Sequence, residues 1–289
     1  MRIVKLKGIQ IIFNDYFILL LLAYGMLGVF LQAMLTFAVV LVHEFAHSCA
    51  ARSFGLTVRE VELFPFGGVA RLEGILEYNP SQEIKVALAG PLCNFFLLYL
   101  GLLAQRFFNW SGPYGQLFLS INLVMGLFNL LPAFPLDGGR VLRASLSGRL
   151  GVAEATYRAA LWGKYCAVFL GLFGLLGLYL QISDLNPVVA ALFLYYAASK
   201  QEEANLYVFL RYLLRKNQDF IAREVLSVNR LVALNTATIK SVLPKFSPGK
   251  YHIVTVLSAD GRIRGEVTEH QIVDALFSKG SAHVLEKLL

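Results

Sequence analysis

The sequence predicts a polytopic α-helical membrane protein of about six transmembrane helices, followed by a small cytosolic α/β domain. Three observations predict it. Apolar residues make up 57% of the 289 and charged residues only 16%, with a mean hydropathy of +0.60, outside the usual range for a soluble domain. Apolar runs approaching the ~20 residues of a bilayer crossing recur along residues 1–199. Charge is uneven: residues 200–289 hold nearly as many Asp, Glu, Lys and Arg as all of 1–199, in less than half the length.

The expected spans lie at 16–32, 33–52, 84–105, 116–135, 161–180 and 186–199. The first follows Arg2, Lys5 and Lys7, but its run is long and lacks a small-x-small cleavage site, so it reads as a retained span and not a signal peptide. A cytosolic N-terminus puts Arg52, Arg59, Arg71, Lys85, Arg140, Arg143, Arg149, Arg158 and Lys164 on the cytosolic side and only Arg106 outside. An even number of spans then returns the C-terminus to the cytosol. The expected organisation is a membrane domain at 1–199, a linker at 200–225 and a soluble domain at 226–289.

In the first cytosolic connection, Thr57 to Phe64 and Val69 to Leu72 flank Pro65-Phe66-Gly67-Gly68 and read as a hairpin. It is either a plain connection or an edge for a substrate strand. The net charge of +7 is dispersed around the spans, which fits orientation in a membrane and not nucleic acid. Cys49, Cys93 and Cys166 form no CxxC pair and are expected to be packing residues.

Within the second span stands His43-Glu44-Phe45-Ala46-His47. On a helix, positions i and i+4 differ by ~40° and lie one turn apart, so both imidazoles can grip one ion. Glu44 projects from the edge of that face, close enough to exchange a proton with water there. The motif alone is only moderately specific. An ionisable group within a span costs ~2.5–3.5 kcal/mol even on the lenient insertion scale, however, and no packing role explains three of them in five residues.

A catalytic zinc takes three protein ligands and keeps one open position. The third candidate is Asp137, in Asn129-Leu130-Leu131-Pro132-Ala133-Phe134-Pro135-Leu136-Asp137-Gly138-Gly139, where prolines and glycines break the fourth span. Alone, Pro-Leu-Asp-Gly is an ordinary turn signature. With a zinc position unfilled, the ligand reading is preferred. His43 lies ~14 Å inside the cytosolic helix end at 1.5 Å per residue, and irregular backbone is tolerated at that depth where it lines a wet cavity.

Through His43-Glu44-Phe45-Ala46-His47 and through Asn129, Pro132, Pro135, Leu136, Asp137 and Gly138, the chain resembles the site-2 protease family of intramembrane zinc proteases. Gly90-Pro91-Leu92-Cys93-Asn94 is similar to the Gly-Pro-x-x-Asn stretch of that family, and the Pro-Phe-Gly-Gly loop, outer spans and tail resemble its sporulation branch, the stage IV sporulation protein FB subgroup. The resemblance implies Zn2+ held by His43, His47 and Asp137, with Glu44 taking a proton from water and returning it to the leaving amine. It implies that Asn129 holds the substrate backbone or the developing oxyanion, although asparagine on a membrane helix is also a common interhelical hydrogen-bonding residue. Asn94 is expected to be structural. The implied substrate is a membrane-associated regulatory protein, a sporulation sigma-factor precursor, in a membrane of the developing spore, with membrane regulatory proteins as further partners.

The tail reads as a helix over Thr236 to Leu243, a strand over Tyr251 to Leu257, a turn at Asp260-Gly261, a strand over Arg262 to Thr268 and a helix from Glu269. This order resembles a single CBS module, which implies pairing with another copy and hence a homo-oligomer. Family nucleotide sites carry Thr with Asp three residues later. Here Thr268 is followed by Gln271, so an adenine nucleotide such as ATP and a ligand-free pairing module both stay open. The rival function is an ion transporter or channel in which His43, Glu44 and His47 relay ions, a reading that does not require Asp137 in its broken setting.

Overall fold

The chain is described by a computed structural model at every residue except 1, 7, 8, 14, 65, 66, 74–78, 183, 202–226 and 247–249, with backbone alone at 2–6, 9–13, 15–18, 57–64 and 67–73. The linker expected at 200–225 lies outside the described residues beyond 201, as do Pro65 and Phe66. Two compact units divide it, Met1–Leu76 with Ser81–Val141, and Glu77–Pro80 with Leu142–Leu289.

The first unit opens on two strands that the sequence reading did not anticipate, β1 (Arg2–Leu6) and β2 (Ile9–Phe13). In the sequence reading Arg2 and Lys5 are only the basic residues ahead of the first span. The hairpin expected after the second span forms as β3 (Thr57–Phe64) and β4 (Gly67–Glu73), antiparallel with Leu63 opposite Gly68. β2 pairs parallel with β3, so the four strands run β1-β2-β3-β4 and β4 has one unpaired edge among the described residues.

Helix α1 (Asp15–Met26) breaks before α2 (Phe30–Ser53) at Gly28, whose φ is +75°. With 12 residues α1 rises ~18 Å, short of a ~30 Å hydrocarbon core. The buried stripe of α2 includes Val39, His43, His47 and Ala51, one residue every four, which puts both histidines on its inner face. Helix α3 (Pro80–Phe108) and α4 (Pro113–Asn129) approach closely through small residues. A Cβ at Gly126 would touch the Phe95 ring at 3.2 Å, and one at Gly101 would meet Leu119 at 2.6 Å.

After Asn129 the backbone turns through 130–136, with Ala133 and Phe134 buried and the Phe134–Pro135 peptide cis. It re-enters helix as α5 (Asp137–Leu150). The sequence reading, which places Asp137 after a broken span, does not anticipate this helix. Gly138 and Gly139 press on the turn's own backbone, where a Cβ would collide with the Leu130 and Leu131 carbonyls or approach Phe134 N at 2.5 Å. Asp137 is thus held as the first residue of a helix, not the last residue of a span.

In the second unit, α6 (Val152–Tyr179) packs on α7 (186–201), where Gly174 faces Val188 and Gly171 faces Ala191. The tail forms β5 (Ser227–Leu234), α8 (Ile239–Val242), β6 (Lys250–Leu257), β7 (Ile263–Thr268) and α9 (Glu269–Lys279). β5 pairs parallel with β6, and β6 antiparallel with β7. β5 was missed, whereas the β6–β7 turn forms at Asp260-Gly261 as expected, Gly261 supplying φ +80°. Ile239, Phe246, Val254, Val256, Val267, Ile272 and Leu285 make the tail's core.

Helix covers the expected spans at 16–32 and 116–135 only in part, and three helices among the described residues, α2, α3 and α6, are long and apolar enough to cross a membrane, at 24, 29 and 28 residues. Exposed Leu92, Phe96 and Tyr99 on α3 and Phe169, Leu172 and Phe173 on α6 suit contact with hydrocarbon. Cys93 and Cys166 are half-buried as expected of packing residues, but Cys49 is exposed, because the inner face of α2 is taken by the histidine stripe.

Candidate metal centre

His43, His47 and Asp137 converge in the first unit, and all three are buried. His43 Nε2 and His47 Nε2 are 3.1 Å apart, and Asp137 Oδ2 lies 3.2 Å from the first and 3.1 Å from the second. The protonation of both rings follows from what they touch on the far side. His47 Nδ1 donates to the Val86 carbonyl oxygen at 2.7 Å, an acceptor only. His43 Nδ1 donates to Asn94 Oδ1 at 2.5 Å. A neutral ring thereby spends its one proton, which leaves two nitrogen lone pairs and a carboxylate oxygen facing one another in a buried space. Such a cluster is electrostatically costly without a cation at its centre.

The spacing fits one. Ligand atoms ~2.0–2.1 Å from a tetrahedral zinc stand about 3.3 Å from one another, close to the three distances here. Two imidazoles and one carboxylate are a donor set that zinc hydrolases use, leaving the fourth position open. Asp137 turns its second oxygen toward Arg140 Nη1, 3.9 Å away and one turn along α5.

Two further elements shape the site. Gly90 on α3 has no side chain because the imidazoles occupy that space: a Cβ there would overlap His47 Nε2 and stand 2.6 Å from His43 Cε1. Asn94, one turn on and fully buried, donates from Nδ2 to Asn122 Oδ1 on α4 at 3.0 Å. The Gly-Pro-x-x-Asn stretch therefore lies against the triangle, and Asn94, expected to be structural, joins α3 to α4 and also bonds to His43. A signal for Asn122 existed in the sequence, an amide in the middle of an apolar span, and it was not read.

Glu44 is half-buried beside the triangle without belonging to it. Its carbonyl accepts from Ser48 Oγ at 2.9 Å within the helix. Asn129 is not brought into the triangle. As the last residue of α4 it donates from Nδ2 to the Met125 carbonyl at 3.1 Å, half-buried, a bond within its own helix and not the interhelical bond considered from sequence.

In the tail, Thr268 Oγ1 and backbone N–H both donate to Gln271 Oε1, at 2.9 and 2.8 Å, closing a capping box on α9. The two residues considered for ribose recognition spend their polar atoms on each other.

The family model described as peptidase family M50 matches residues 31–112 and 108–173, a stretch that contains every residue of the triangle and both asparagines beside it. A zinc metalloprotease of Methanocaldococcus jannaschii is 35% identical over 211 residues, which are 69% of this chain and 60% of that protein. Stage IV sporulation protein FB of Bacillus subtilis is 28% identical over 278 residues, 94% of each chain. Among solved structures, the site-2 protease from Methanocaldococcus jannaschii matches with a TM-score of 0.55 and 34% identity, covering 70% of this chain and 94% of that one.

Proposed function

The chain belongs to peptidase family M50, the site-2 proteases, and from that premise we propose that it is an intramembrane zinc metalloprotease that cuts a membrane-associated regulatory protein near the cytosolic face of the bilayer. The observation that carries this reading is the triangle of lone pairs formed by His43 Nε2, His47 Nε2 and Asp137 Oδ2, at the spacing of zinc ligands and with both histidine protons committed elsewhere. An ion relay has no need of three ligand atoms at that spacing.

In this reading His43, His47 and Asp137 hold the zinc. When bound, the ion supplies Lewis-acid polarisation of water and of the scissile carbonyl. Glu44 takes a proton from the attacking water and passes it to the leaving amine as the C–N bond breaks. Arg140 Nη1, 3.9 Å from Asp137 Oδ1, would help to orient the carboxylate that holds the ion. Asn129 sits at the end of α4, where its amide, once released from the Met125 carbonyl, can hold substrate backbone. A helical substrate hides its carbonyls, so it must be extended before attack, and the free edge of β4 offers it strand pairing.

The remaining assignments extend this reading. Six spans follow from the apolar runs and cytosolic termini from the basic residues, and the domain division is 1–199, 200–225 and 226–289. The tail is a single CBS-like module whose β5 exposes Val228, Val232 and Leu234, which supports pairing with a second copy. An adenine nucleotide is the ligand such a pair would take, although the Thr268–Gln271 box occupies the atoms it needs. The substrate is a sporulation sigma-factor precursor, the enzyme lies in a membrane of the developing spore, and membrane regulatory proteins act on it.

The test is zinc content and proteolysis by the purified full chain. One zinc per chain is expected, with cleavage of a co-expressed pro-sigma factor that Glu44→Gln abolishes. A metal-free protein, or equal cleavage by Glu44→Gln, overturns the reading. A precursor left intact while other membrane-associated proteins are cut removes only the named substrate.

A further inference from the structure

The two histidines of the triangle receive their orientation in different ways. His47 Nδ1 meets a backbone carbonyl, Val86 O, which can only accept. His43 Nδ1 meets an amide side chain, Asn94, whose two ends have opposite hydrogen-bonding character. Were Asn94 turned over, its NH2 group would face His43 and favour a lone pair on Nδ1, moving the proton to Nε2, where a metal must bind. Something must fix which way Asn94 points.

That something is Asn122. Its Nδ2 donates to the Phe118 carbonyl at 2.8 Å, one turn back along α4, and a carbonyl oxygen can only accept. Asn122 Oδ1 is thereby turned toward α3, where it accepts from Asn94 Nδ2 at 3.0 Å. Asn94 Oδ1 is then left to accept from His43. Each bond dictates the direction of the next, from a helix carbonyl to the imidazole. Asn94 and Asn122 are 0% exposed and His43 is 2% exposed, so no solvent is at hand to replace a missing partner.

Resting on the metalloprotease reading, we propose that Asn122 is a positioning residue that sets the His43 tautomer through Asn94, and thereby sets how tightly the centre holds its metal. The relay joins α4 to a ligand on α2 without touching the metal or the substrate. Loss of the group that holds a ligating histidine's far nitrogen costs about 10–100-fold in metal affinity, and turning Asn94 over removes that group's acceptor from His43.

The experiment compares zinc affinity, by chelator competition on the purified full-length protein, in two backgrounds. Asn122→Leu removes the acceptor, frees Asn94 to turn, and is expected to lower affinity about 10–100-fold. In an Asn94→Asp background either carboxylate oxygen accepts from His43, so Asn122 no longer sets which atom faces the ring. There Asn122→Leu removes only an acceptor that faces the second carboxylate oxygen, and is expected to lower affinity by no more than about twofold. A packing defect would weaken both backgrounds equally. Equal loss in both, or no loss in either, overturns the relay. Asn122→Asp keeps the acceptor facing Asn94 and can donate to Phe118 O when protonated. It is expected to bind within about twofold of wild type, and a tenfold weakening overturns the proposal even if Asn122→Leu does not fold. Wild-type protein that holds zinc but cleaves nothing defeats the protease reading and leaves the relay standing.

Discussion

Gly90 on α3 stands so close to His47 on α2 that no β-carbon fits between the helix backbone and the imidazole. The absence of a side chain is what lets two spans close around a metal centre. Gly90→Ala is expected to push one or both imidazoles out of the triangle and lower zinc affinity at least tenfold. Gly171→Ala is the control, because its Cβ meets Ala191 at an ordinary 3.5 Å. Chelator competition on both variants checks this, and unchanged zinc binding in Gly90→Ala would contradict the geometry.

The ligands and the base should separate by metal content. Glu44→Gln keeps the triangle intact, so it is expected to retain zinc and lose hydrolysis by at least about a hundredfold. His43→Ala and Asp137→Ala remove ligands and should lose the metal itself. Elemental analysis beside a cleavage assay distinguishes them. Zinc lost from Glu44→Gln and kept by Asp137→Ala would reverse the roles.

Gly151 joins α5 to α6 at φ +84° and ψ 161°, a conformation almost confined to glycine. A Cβ there would also overlap the Pro244 carbonyl and stand 2.9 Å from Phe246 O in the tail, while Ala153 packs against the tail core. Gly151→Ala is expected to cost about 1–3 kcal/mol locally and to loosen the tail from this turn. Faster limited proteolysis of the tail is the readout, and wild-type resistance would count against the docking.

The parts legible in the sequence were those with a local signature. His43 and His47 could be placed on one face because helical period alone fixes it, and Asp260-Gly261 because the turn needs a positive φ. Asp137 was reached by counting vacant zinc positions, although the helix it begins was hidden by a proline- and glycine-rich run that reads as a turn. β1, β2 and β5 went unread for a different reason. β2 and β5 are stabilised by pairing with strands distant in sequence, β2 with β3 and β5 with β6, while β1 pairs with β2, and short runs of mixed polarity do not announce such partners. Asn94 and Asn122 were opaque in function because their roles depend on which atom of each amide faces which helix.

The capping box on α9 offers a test of what Gln271 does. Gln271 Oε1 accepts from both the Thr268 backbone N–H and its hydroxyl, and the Gln271 N–H donates back to Thr268 Oγ1 at 3.4 Å. Removing such a cap costs about 0.5–2 kcal/mol, and each kcal/mol raises local opening roughly fivefold. Gln271→Leu is therefore expected to speed hydrogen exchange at the Thr268 and first-turn α9 amides by about 2–30-fold. Gln271→Glu keeps an acceptor at the same position and should stay near wild type. A nucleotide that used Thr268 would have to open the box, so millimolar ATP binding there should alter exchange at those same amides. Exchange unchanged by Gln271→Leu would mean that the cap contributes nothing to the helix start, and Thr268 would then be free to serve a ligand at no local cost.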